Sequence, residues 1–170
     1  MKRFILCLMC VALAVLVGAS SVLAADEGST ESFTIPVTLT VAHSSKHINV
    51  TLPAAMPVSV LDGKVLTADN LQIQNHADSV DVRVAGIEVT SGRFSVVSYQ
   101  NFRDNGNNQI ALWINGCYTK GPGAMTLNDT AFPVITTGNA LPILYTAKVS
   151  AANDVAGINA ASVIFTLKAN

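Results

Sequence analysis

From Phe33 the chain alternates with a period of two: Phe33, Ile35, Val37, Leu39 and Val41 are apolar, and the positions between them are mainly Thr. Such a period puts one set of side chains on each face of an extended backbone, which predicts a half-buried β-strand. Pro36 supplies no ladder donor, and this predicts that the start of the strand lies at a sheet edge.

The same grammar continues along the chain. Ile48, Val50 and Leu52 form a short strand stopped by Pro53, and Val58 and Val60 lead into Asp62-Gly63, a two-residue hairpin signal from which Val65 returns. Leu71 and Ile73 open the next strand. Val80, Val82 and Val84 are then followed by a change of parity to Ile87 and Val89, and the change at Ala85-Gly86 reads as a β-bulge. Phe94, Val96, Val97 and Tyr99 make a further strand before the polar loop from Asp104 to Asn108. Ile110, Leu112 and Ile114 run up to Asn115-Gly116, the strongest short hairpin signal in the chain. After the break at Gly121-Pro122-Gly123, two strands close the pattern, one carrying Ile143, Tyr145, Ala147 and Val149, the other Val163, Phe165 and Leu167.

No window shows a 3.6-residue period. About nine short strands with Gly, Pro, Asn and Asp between them predict an all-β domain, an antiparallel β-sandwich of immunoglobulin-like or related topology. The pattern does not order the strands.

Before the alternation begins, Lys2 and Arg3 precede an unbroken apolar run from Phe4 to Val17, and Val22-Leu23-Ala24 offers small residues for cleavage. Residues 1–24 read as a secretory signal, 25–32 as a flexible polar leader and 33–170 as one β-sandwich domain. Gly18, Ser20 and Ser21 interrupt the run short of the roughly 20 apolar residues a spanning helix needs, so no stable membrane span is expected after cleavage. The expected location is secreted, extracellular or loosely associated with the cell surface. Neither Cys7 nor Cys10 has the setting of a lipidated cysteine, and the stretch from Leu141 to Tyr145 lacks the Thr-Gly ending of a sortase signal.

Charged residues are 12% of the chain, about half the usual share, so Thr, Ser, Asn and Gln must supply most of the polar surface. Loss of Lys2 and Arg3 takes the 10 basic residues to 8 against 11 acidic ones, a formal charge of −3 with no run of either sign. Nucleic acid and acidic membranes need a basic patch and are excluded as partners. Carbohydrate, other surface proteins and self-association remain. Cys117 is the one cysteine outside the signal, with two readings: a small buried hydrophobe, which is the expectation, or a handle for an intermolecular bridge.

Catalytic signatures are absent from the sequence: there is no Gly-x-Ser-x-Gly elbow, no His-Glu-x-x-His and no Cys/His pair in a recognisable setting. His43, His47 and His76 are the metal candidates, but an extended backbone with Ser44-Ser45 between the first two does not gather them, and no metal or cofactor is expected. The Asp104 loop lacks the alternating acidic ligands of a calcium site, and Asp78 with Asp81 would point to opposite faces of a strand. Trp113 has the opposite parity to Leu112 and Ile114. If those face the core, Trp113 faces out, where with Tyr99, Phe102 or Tyr118 it would form a sugar-stacking platform or an interface anchor; the alternative is that Trp113 is itself core.

Several segments together carry a resemblance: Pro57-Val58-Ser59-Val60, Asp62-Gly63-Lys64-Val65, Leu71-Gln72-Ile73-Gln74-Asn75, Val80 to Val89, and Phe94-Ser95-Val96-Val97-Ser98-Tyr99. With Ile114-Asn115-Gly116 and Ala161-Ser162-Val163-Ile164-Phe165-Thr166, they resemble a group of small exported proteins of Gram-positive-type bacteria. Phe94 stands where that group often has Trp. The likeness implies a secreted β-sandwich and implies no reaction.

Two functions are therefore expected. The first is a non-catalytic structural protein of an extracellular fibre, coat or matrix, in which Phe33, Ile35, Val37, Leu39 and Val41 could add as a strand to a neighbouring subunit. The second is a carbohydrate- or host-surface-binding module, with Trp113, Tyr99 and Tyr118 at its contact and Cys117 beside them in sequence.

Overall fold

The computed structural model describes residues 31–41, 47–105, 107–150 and 157–170. The signal and all but the end of the leader lie outside the described residues. The chain is all-β. Its strands are β1 (Glu31–Val41), β2 (Val50–Thr51), β3 (Ala55–Leu61), β4 (Lys64–Thr67), β5 (Gln72–Asn75), β6 (Val82–Ser91), β7 (Ser95–Val96), β8 (Gln109–Ile114), β9 (Cys117–Tyr118), β10 (Gly123–Ala124), β11 (Ala140–Pro142), β12 (Tyr145–Ser150) and β13 (Ala161–Ala169). Among the described residues no helix is long and apolar enough to cross a membrane. Among the described residues there are thirteen strands rather than about nine, because short pairings such as β10 carry too few residues to show a period and because β11 pairs on its own just ahead of the run from Ile143.

One path runs β10-β6-β13-β1-β3-β4, a second β11-β5-β2 and a third β12-β8-β7, with β9 on β8. The expectation of a purely antiparallel structure is corrected, since β1 pairs with β13 and β7 with β8 in parallel. The period of two is the same in parallel and antiparallel strands, so the sequence carries no sign of the difference.

β1 divides its backbone between two partners. Glu31 to Pro36 pairs with β3, and Val37 to Val41 pairs with β13. Glu31 and Ser32, expected in the leader, already pair with Val60 and Ser59, because backbone pairing is indifferent to polar side chains. Pro36 ends the β3 pairing opposite Ala55, and Val37 N–H donates to the Ala54 carbonyl at 3.1 Å before the β13 ladder begins. The missing donor thus sits at a change of partners, between β13 and β3, rather than at a sheet edge.

The turns and the bulge follow the local chemistry. Asp62 (φ 49°) with Gly63 (71°), and Asn115 (43°) with Gly116 (87°), form the two hairpin turns with both central residues left-handed. On β6, Gly86 faces Thr166 and Val84 faces Leu167, so Ala85 is the extra residue that changes parity. The bulge lets Val82, Val84, Ile87 and Val89 all be buried.

Side chains from all three paths meet in one hydrophobic cluster. Phe33 of β1 stacks on Phe94 with centroids 5.2 Å apart. Tyr145 points inward from β12, and its hydroxyl donates to the Pro57 carbonyl of β3 while accepting the Ala68 N–H at 3.1 Å. The Thr67 hydroxyl donates to the Tyr145 carbonyl at 3.1 Å, so the β3–β4 hairpin is fastened to β12. Burial pushes the Tyr145 phenol above its ordinary 10.0, which keeps its donor in place. The buried Asn75 amide donates to the Val80 and Ile135 carbonyls, at 3.0 and 2.9 Å, and ties the β5–β6 connection to the segment before β11.

Two outcomes check this account. Tyr145→Phe should cost about 1–3 kcal/mol in a denaturant titration, because the Pro57 and Ala68 backbone groups each lose a partner; an unchanged midpoint would show that water replaces the hydroxyl. Gly92→Ala should lower Tm clearly, since a Cβ at this position would lie 2.7 Å from the Asn159 carbonyl oxygen and 3.0 Å from that of Ala160. A variant as stable as the wild type would mean that the segment leading into β13 does not pass so close.

Candidate functional site

On β8, Ile110, Leu112 and Ile114 are fully buried, and alternation therefore turns Trp113 to the opposite face, where it is half-buried. The ladder sets Trp113 opposite Thr146 of β12 on one side and Tyr118 of β9 on the other. Leu144 stands just before β12, and its carbonyl accepts the Asn115 N–H at 2.9 Å. At 56% exposed it is the most exposed of the large hydrophobic residues described. The Asn115 side chain fixes this corner: its Oδ1 accepts the Leu144 N–H at 2.7 Å and its Nδ2 donates to the Pro142 carbonyl at 3.0 Å.

The other half of the face is covered. Residues 97–105 cross from the β8–β9 edge, where Val97 N–H donates to the Ile110 carbonyl and Tyr99 N–H to the Thr119 carbonyl, both at 2.9 Å, to β12, where Asn105 N–H donates to Ser150 Oγ at 3.1 Å. This explains why Ala111 and Ser150 are fully buried although they share Trp113's parity. Tyr99 stands at the border of the cover, half-buried, with its hydroxyl 3.0 Å from Thr146 Oγ1. Lys148 holds it there: Nζ donates to the Tyr99 carbonyl at 2.9 Å and lies 4.3 Å from the ring centroid. Thr119 is buried and links the cover to the sheet, since its hydroxyl accepts the Leu112 N–H at 3.1 Å and donates to the Val97 carbonyl at 2.8 Å.

The structure thus brings Trp113, Tyr118 and Tyr99 to one face, beside Leu144, Thr146 and Lys148. Alternation could not have named the last three without knowing that β12 is the partner of β8. Cys117 does not join them. It faces Ile114 in the core and is 2% exposed, so an intermolecular bridge would require local opening. Of the strand-addition residues, Phe33 and Ile35 are buried, Val37 is half-buried and Leu39 is 36% exposed, while the Val41 side chain lies outside the described residues.

The polar candidates serve as loop fastenings. Asn49 Nδ2 donates to both Asp78 carboxylate oxygens, at 2.8 and 3.0 Å, and this bond, with a smaller contribution from His47 at 3.5 Å, holds the carboxyl below its ordinary 3.8. Asp81 instead accepts the Thr137 N–H at 2.9 Å and its hydroxyl at 3.2 Å. His76 pairs with Thr51 Oγ1 at 2.7 Å, and His43 lies outside the described residues. Among the described residues no three metal-ligating side chains gather. A groove of about 180 Å³ beside β6, between Arg83 and Phe132, is below the size usual for a small-molecule site. No protein-family model matches the chain, and no curated protein matches it either.

Asn115→Gly keeps the turn conformation and removes both side-chain bonds. It should cost about 1–2 kcal/mol and raise amide exchange at Leu144. Exchange at Leu144 equal to the wild type would show that the side chain does not fasten this corner.

Proposed function

We propose that the chain is a secreted, non-catalytic binding module, a β-sandwich of immunoglobulin-like kind, whose β8–β9–β12 face holds carbohydrate. The observation that carries this reading is the outward Trp113 with Tyr118 beside it and Tyr99 at its border. A sugar ring presents polarised C–H groups on its flat sides and hydroxyls at its rim, and an aromatic ring offers a negative face to the first. Thr146 and the amide-rich turn at Asn115 stand beside the rings to meet the second.

The sandwich reading is supported by the single core cluster that the three sheet paths share. The fibre-subunit reading gains less support. Strand exchange would strip β1 of its pairing with both β3 and β13 and remove Phe33 and Ile35 from the core, and a partner would have to replace all of it.

The test is retardation of the protein in gels containing a panel of plant and microbial polysaccharides, for the wild type and Trp113→Ala. The expected result is retardation by at least one polysaccharide that Trp113→Ala abolishes, with a stability loss well below the roughly 3–5 kcal/mol of a deleted core aromatic. No retardation by any member of the panel, or a variant that binds as well as the wild type, contradicts the proposal.

A further inference from the structure

We infer that the glycan taken by this face carries carboxylates, and that Lys148 is the residue that reads them; the inference rests on the carbohydrate reading just given. Strands β8, β9 and β12 read QIALWI, CY and YTAKVS, so Lys148 is their one charged side chain. Its ammonium has three N–H donors. One is taken by the Tyr99 carbonyl, and the ring of Tyr99 lies against the charge. Among the described residues the one ion pair is His47 with Asp78, so no carboxylate there neutralises Lys148.

Position adds to charge. Lys148 follows Thr146 by two residues and shares its face, about 6.8 Å along the strand from the residue paired with Trp113. A chain of sugars stacked across Trp113 and running toward Tyr99 would cover this half-buried ammonium. A neutral glycan would strip water from the charge and return only hydroxyl contacts, whereas a carboxylate would return a charge-assisted hydrogen bond. The formal charge of −3 expected after signal removal is spread along the chain with no run of either sign, and none of its acidic side chains stands on β8, β9 or β12. The chemistry that fits is a polyuronate, a polysaccharide of uronic acid units.

The experiment compares polygalacturonate with uncharged polysaccharides, using the full chain and the variants Lys148→Gln, Lys148→Arg and Trp113→Ala, at about 20 mM and about 300 mM salt. Wild type should bind polygalacturonate and lose about tenfold in affinity at the higher salt. Lys148→Gln keeps a donor for the Tyr99 carbonyl and should lose about as much at low salt, Lys148→Arg should restore binding, and the Tm of both should stay near the wild type. If Lys148→Gln binds polygalacturonate unchanged, or uncharged polysaccharides bind equally well, Lys148 only props Tyr99 and the inference fails while the carbohydrate reading stands. If no polysaccharide of either kind is bound, the carbohydrate reading fails and takes the inference with it.

Discussion

Strand β1 cannot satisfy its backbone against one neighbour alone. Its first half is bonded to β3 and its second half to β13, and Pro36, with no N–H to satisfy, stands where one partner gives way to the other. An ordinary residue at the change-over would bring a donor with no ladder to join, at a cost comparable to a lost hydrogen bond. Because β3 continues to β4, and β13 to β6, this one strand holds the first hairpin of the chain against its last strand. Phe33 and Ile35 then enter the cluster to which β8 and β12 also contribute.

The Trp113 face is a by-product of that core. With Ile110, Leu112 and Ile114 committed inward, the backbone of β8 leaves no other direction for Trp113. What makes the face a candidate site is its partial cover. The 97–105 segment buries the Ala111 and Ser150 end and stops at Tyr99, while Asn115 pins the opposite corner at Leu144. The open part is therefore bounded at both ends by hydrogen bonds that reach the backbone, and Trp113 and Tyr118 stand on paired strands rather than on a free loop. Such mounting lowers the ordering cost of gripping a ligand.

Much of this was legible in the chain. The longer strands such as β1, β6, β8, β12 and β13, the two left-handed hairpin turns and the bulge at Ala85 are local matters, and each was written in a period, a dipeptide or a change of parity. The outward direction of Trp113 was legible as a condition: it followed once Leu112 was known to be inside. Partnership between distant segments was not legible. Nothing in the Thr-rich alternation of 33–41 distinguishes one antiparallel neighbour from a shared pair of neighbours, and Pro36 marks an edge and a hand-over with the same missing donor. Nor could the sequence separate β11 from β12, since Leu141 continues the parity of Ile143 and Tyr145 while the two strands pair with β5 and β8 in turn. Lys148 came to the site for that reason alone, through the register of β12.

Trp113 is the only tryptophan of the chain, so its fluorescence reports on the face without ambiguity. The most direct measurement is its emission and its quenching by a small neutral quencher, before and after addition of a bound polysaccharide. The account predicts a partly solvent-exposed emission that is quenched in the free protein, and a blue shift with protection once the glycan is present. A blue-shifted emission that the quencher cannot reach, unchanged by any polysaccharide, would show that Trp113 is core and that the open aromatic face does not exist.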